Sequence, residues 1–145
     1  MKLTKNFALS EFKCNDKKGT PVPYKYYGNV MYLAMQLQII RDHINSERVK
    51  ANLPEIQLDL ISAFRTLLYN LRVRGKKGSM HKFAGAGDLK ARIIGTKDYL
   101  KPAQLHVSIL YLIRHKKISE GGVGIYNTFV HYDIRGYAAR WDMRS

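Results

Sequence analysis

An α+β fold, with a small antiparallel sheet packed with two main helices in one domain spanning residues 1–145, is the expectation from three features of the chain. Two long segments repeat apolar residues at the helical period. Several short segments alternate with period two, as half-buried strands do. The order helix, strand, helix, strand, helix, hairpin closes on two adjacent strands, which reads as helices packed on a small antiparallel sheet.

The first 28 residues carry Gly19, Pro21, Pro23 and Gly28, too much punctuation for a long element. Ser10, Glu11 and Phe12 suit one short helical turn. Val30, Leu33, Ala34, Leu37, Ile40 and Ile44 then predict an amphipathic helix over about Asn29–Asn45, with Asn29 as its N-cap. After Pro54, Ile56, Leu58 and Leu60 alternate with Gln57 and Asp59 and predict a strand running into Ser62–Arg65. A short helix from Thr66 to Arg72 follows, then a basic loop over Arg74–Ser79 and a second strand over about Ala86–Ile94. Pro102 suits the first turn of the second long helix, where a missing N–H costs nothing. Its buried stripe is Leu105, Ile109, Leu112 and Ile113, and Arg114–Lys117 place cations at its C-terminal end. Gly121, Gly122 and Gly124 turn the chain into two short strands, about Val123–Tyr126 and Phe129–Arg135.

Composition limits the function classes. Twenty-five Lys and Arg against 11 Asp and Glu give a formal charge of +14. Such a chain seeks polyanions, whether nucleic acid, an anionic membrane or an anionic wall polymer. No apolar run approaches the roughly 20 residues that span a bilayer, and Met1–Ser10 has no signal-peptide core. Synthesis in the cytoplasm without a leader is therefore expected. The single cysteine, Cys14, excludes an internal disulfide and a multi-cysteine zinc module, and reads as a small buried residue.

Of the five histidines, His43 and His106 fall on the two long helices and His115 ends the second, so they read as helix-surface residues. His81 and His131 differ. His81 lies in GSMHKFAGAGDLK, where only small or flexible residues separate Ala84 from Asp88, so an imidazole and a carboxylate can turn onto one ion. His131 lies in FVHYDIRG, and on a strand it shares a face with Asp133. Two imidazoles and one carboxylate form a common catalytic zinc set with a fourth position left for water. By spacing alone these pairs remain unspecific.

Several stretches together add specificity. ISAFRTLLYN, GSMHKFAGAGDLK, GGVGIYNTFVHYDIRG and ARW, preceded by LTKNFALSEFKC, resemble in order the M15 family of zinc peptidases. The similarity is to the short branch related to D-alanyl-D-alanine carboxypeptidases and phage peptidoglycan endopeptidases. It implies a hedgehog/D-Ala-D-Ala-peptidase-like fold and one Zn2+ held by His81, Asp88 and His131. It also implies that Arg65, in SAFRT, binds a substrate carboxylate or polarises the scissile carbonyl, a role suited to a permanently charged planar donor. Ser79 and Tyr126 are implied in substrate binding, with Tyr69, Asn70 and Trp141 also matching the pattern. Trp141 itself reads as an anchor that packs the C-terminal segment on the core.

Two departures bear on mechanism. Where many relatives place an acidic general base, three residues before the last histidine, this chain has Thr128. Asp133 is then expected as the base, with Glu120 its rival and orientation of a ligand histidine its alternative role. The family glycine three residues after the first histidine is Ala84, with Gly85 beside it as compensation. The expected function is zinc-dependent hydrolysis of stem or cross-bridge peptides of bacterial peptidoglycan, as in a phage lysis enzyme released through a holin. A D-Ala-D-Ala carboxypeptidase of wall metabolism is the alternative. From other classes come a basic nucleic-acid binder, disfavoured because no nucleic-acid-binding motif is present, and a non-catalytic zinc-binding domain. A monomer without a separate wall-binding domain is expected, its basic surface holding anionic wall polymers.

Overall fold

The computed structural model describes all residues from Met1 to Ser145. Its elements run α1 (Tyr27–Lys50), β1 (Ile56–Ser62), α2 (Leu67–Arg72), β2 (Ala86–Ile93), α3 (Pro102–Arg114), β3 (Gly122–Ile125), β4 (Val130–Asp133) and β5 (Ala139–Asp142), with short 3-10 turns at Leu9–Phe12, Tyr24–Tyr26 and Met80–Phe83. The α+β class and the two main helices are as expected.

The strands form one sheet in the order β1-β2-β4-β3-β5. Pairing is antiparallel from β1 through β3. The expectation of a wholly antiparallel sheet needs one correction, because β5 joins β3 in parallel. Residues 139–142 are too short and too polar to show a strand period. Their strand state comes from the ladder that β3 offers.

α1 buries the stripe expected of it, Val30, Leu33, Ala34, Leu37, Ile40 and Ile44. It begins earlier than expected, because the 3-10 turn at Tyr24–Tyr26 feeds directly into it. Asn29 lies inside the helix and is not its cap; its side-chain amide donates to the Phe83 carbonyl at 2.9 Å. Near the other end, buried Asn45 makes a two-way pair with the main chain of Ile56, at 2.7 and 3.0 Å, which ties α1 to the start of β1. α3 buries Leu105, Ile109, Leu112 and Ile113, again as expected.

Period two then divides the sheet into two faces. Leu89 of β2, Val123 and Ile125 of β3, and Val130 and Tyr132 of β4 join the helix stripes in one continuous apolar cluster, with Cys14 inside it. Asp88, His131 and Asp133 alternate with those core residues along β2 and β4 and so belong to the opposite face. No helix is long and apolar enough to cross a membrane.

Candidate metal centre

One row of paired residues crosses the whole sheet: Ser62 opposite Asp88, Asp88 opposite His131, His131 opposite Gly124, and Gly124 opposite Trp141. Members of a row share a face. The register therefore sets Asp88 beside His131, residues 43 positions apart in sequence, with His131 Nδ1 3.1 Å from Asp88 Oδ1.

His81 reaches the same point from outside the sheet. Thr66 caps α2 by accepting from the Tyr69 N–H at 3.1 Å. Ser79 caps the Met80–Phe83 turn in the same way, accepting from the His81 N–H at 3.2 Å. A register irregularity between Leu60 and Ser62 ends the regular ladder of β1 just before Ala63. The Ala63 carbonyl accepts from His81 Nδ1–H at 2.6 Å, while the Arg65 N–H donates to the His81 carbonyl at 2.9 Å. These bonds clasp the 3-10 turn to the end of β1 and bring His81 Nε2 to 3.4 Å from Asp88 Oδ1. Ala84 ends the turn at φ +57°. Glycine adopts that left-handed conformation freely, whereas it costs an alanine roughly 1 kcal/mol. Gly85 has no positive φ and so does not compensate for the missing glycine, contrary to expectation.

His81, Asp88 and His131 are buried, and one donor atom from each lies within 4.8 Å of the others, a grouping able to hold a metal ion. The chemistry of the donors fits. On each imidazole the nitrogen turned away from Asp88 meets a protein acceptor, Ala63 O for His81 and Asp133 Oδ2 for His131, the latter at 2.7 Å. Fixing the proton on that nitrogen leaves the lone pair of the other for a cation.

Asp133 therefore stands behind His131, on the far side of the imidazole from Asp88. It is fully buried. Its Oδ1 accepts from the Gly122 and Arg135 N–H groups and from Arg135 Nε, and its Oδ2 accepts from His131 Nε2 and from the Arg135 guanidinium at 2.7 Å. A carboxylate so occupied presents no free oxygen to a water. Its surroundings suit orientation of His131 and do not suit the general base expected from the sequence. Glu120, the rival, accepts from Arg140 at 2.7 Å and from the Gly121 N–H.

Burial pushes the Asp88 carboxyl up, but hydrogen bonds from His131 and His81 outweigh it and hold Asp88 well below the usual carboxylate range. Burial likewise opposes ionisation of Asp133, and His131, Arg135 and the Gly122 N–H together reverse that. Burial lowers His131, yet its bonds to Asp133 and Asp88 leave its pKa raised.

Arg65 borders the group, with Nη2 3.5 Å from Asp88 Oδ2 and the side chain 17% exposed. Nη1 donates to Asn70 Oδ1 at 3.4 Å, and the buried Nε has no partner. Asn70 also donates to the Lys76 carbonyl, so one buried amide holds both Arg65 and the basic loop. Gly75 is needed there, since a Cβ would fall 2.0 Å from Asn70 Oδ1. Tyr126 accepts from Trp141 Nε1–H at 2.9 Å and stacks on Phe129. Trp141 lies over Gly124 with its ring 4.9 Å from that of His131, so it walls the site as well as anchoring the chain end. His43 instead stacks on Tyr111, and His115 packs against the same ring at a tilt.

Arg135 is the site residue that the sequence reading did not single out. The available signal was its place two residues beyond Asp133, in HYDIR. In comparisons with family models, curated proteins and solved structures, the chain finds no match.

Proposed function

We propose that this chain is a zinc-dependent peptidase acting on the stem or cross-bridge peptides of bacterial peptidoglycan. The observation that carries this reading is the buried His81–Asp88–His131 group, with each imidazole meeting a protein acceptor on the side turned away from Asp88. The motif resemblance supports it and supplies the substrate class. Zinc in such a set supplies Lewis acidity toward water and a peptide carbonyl.

The protein's own residues have separable tasks. His81 Nε2, Asp88 and His131 Nδ1 would hold the ion. Ala63 O and Asp133 orient each imidazole by its outer nitrogen, so that a bound cation would displace a proton only from the nitrogen facing Asp88. Arg65, braced by Asn70, offers guanidinium N–H groups beside the ion to a carbonyl oxygen gaining negative charge. Trp141, held by the Tyr126 hydroxyl, walls the site beside His131, and Tyr126 shapes the groove for the peptide. The basic surface gathers the enzyme on anionic wall polymers.

Digestion of purified peptidoglycan, with mass spectrometry of the released peptides, tests the reading. The expected result is one zinc per chain, release of new amino groups, and loss of both in His81→Ala. Release of D-alanine alone identifies a carboxypeptidase, and release of cross-linked or stem fragments identifies an endopeptidase. Equal turnover by His81→Ala overturns the metal assignment.

A further inference from the structure

α2 is turned the wrong way for a helix that serves only the core. Its inward side carries the buried polar Asn70 and the half-buried Tyr69, while Leu67, Leu68 and Leu71 face outward at 69%, 68% and 73% exposure. An ordinary surface helix shows the reverse arrangement. Three leucines so exposed within five residues stand proud of the surface.

Their surroundings are rich in cations, with Asp16 the one acid in the adjoining hollow. Lys17, Lys18, Leu68 and Arg72 line one hollow of about 420 Å³ with Thr66 and Thr20. Asp16, the acid in that hollow, is occupied by the Thr20 N–H and hydroxyl. Arg74, Lys76 and Lys77 follow on the exposed loop that Asn70 fastens to α2. No acidic residue occurs between Asp59 and Asp88.

We propose that this face docks on an anionic lipid bilayer, with Leu67, Leu68 and Leu71 entering the acyl boundary and the flanking cations meeting headgroup phosphates. The charge decides the occupant. Protruding aliphatic tips ringed by Lys and Arg match an interface that is apolar below and anionic above. A protein partner would have to supply acidic groups around a leucine-sized recess, and a purely polyanionic partner would leave the leucines in water. The binding is peripheral and independent of the peptidase reading.

Sedimentation of the full chain with vesicles of phosphatidylglycerol and phosphatidylethanolamine, against vesicles of phosphatidylcholine alone, tests it. Anionic vesicles should carry the protein down and neutral ones should not. The Leu68→Ser/Leu71→Ser protein should bind at least tenfold more weakly while keeping the wild-type melting temperature, since both side chains are exposed. A polarity-sensitive dye on Leu68→Cys, with Cys14 buried and unlabelled, should shift to the blue on anionic vesicles. Unchanged binding by the leucine variant, with loss in Lys76→Glu/Lys77→Glu, would mean charge attraction alone and overturn the proposal. So would a wild-type dimer that the leucine variant dissociates, with no vesicle binding by either, because the face would then join two copies of this chain.

Discussion

His131 lies between two carboxylates, with Nδ1 3.1 Å from Asp88 and Nε2 2.7 Å from Asp133. The two contacts are unequal in consequence. Asp88 shares the cluster of donor atoms with His81, whereas Asp133 is sealed behind the imidazole by Arg135 and the Gly122 N–H. One ring thus separates a carboxylate placed to hold an ion from a carboxylate placed to hold the ring.

Removal of a donor should abolish metal retention without unfolding the chain. His81→Ala and Asp88→Ala should each lose stoichiometric zinc after dialysis, as read by elemental analysis. Saturating zinc, at about 100 times its dissociation constant, should stabilise the wild type by about 2.7 kcal/mol, and neither variant should show that gain in a thermal melt.

The support behind His131 should matter nearly as much as a ligand. Asp133→Asn should weaken metal affinity by about 10–100-fold, measured by competition with a chromophoric chelator. Arg135→Gln should move affinity in the same direction by freeing Asp133. If Asp133 were instead a base, Asp133→Asn would keep full zinc affinity and lose only turnover.

Acid–base behaviour of the metal-free chain follows from the shifts. Asp88 and Asp133 have folded pKa values below their unfolded ones, so they stabilise above the ordinary carboxylate range and that contribution fades as pH falls. His131 has a raised folded value, so its contribution is complete below its unfolded pKa and is lost as pH rises through the folded one. In a chelator, calorimetry should therefore place maximal stability between the two regimes. Added zinc, which takes the place of the proton on His131 Nδ1, should raise the melting temperature more as pH increases.

Gly124 should tolerate no side chain. A Cβ there would meet the Trp141 indole nitrogen at 2.1 Å, so Gly124→Ala must displace Trp141 and with it the parallel strand β5. The expected cost is about 1–3 kcal/mol, with a red shift in the fluorescence of the only tryptophan as it leaves His131 and Tyr126.

Asn70→Ala should damage the site through Arg65 rather than through the ion. The variant leaves the Arg65 guanidinium and the Lys76 carbonyl without their shared partner. Zinc content should stay at wild type while turnover of wall peptides falls at least tenfold, the size expected for a misplaced electrostatic donor.

Much of this was legible in the chain itself. The stripes of α1 and α3 were readable because a 3.6-residue period needs only neighbours along one helix. His81, Asp88 and His131 stood out because residue types with ligand chemistry cluster in short, glycine-rich or strand-like contexts. What those residues do depends on contacts that local spacing does not encode. Asp133 shares a strand face with His131, as period two requires, but only the bonds from Gly122 and Arg135 show that its oxygens are used up. Trp141 meets His131 only because Gly124 lies between them in the row across β4, β3 and β5. The short helix over Thr66–Arg72 was legible, but not the way it faces: Asn70 takes the inner side to hold Arg65 and the basic loop, and Leu67, Leu68 and Leu71 are left outward. Local periodicity and residue chemistry are properties of the chain, while strand register, the direction a helix faces and the occupancy of a buried carboxylate are set by long-range packing.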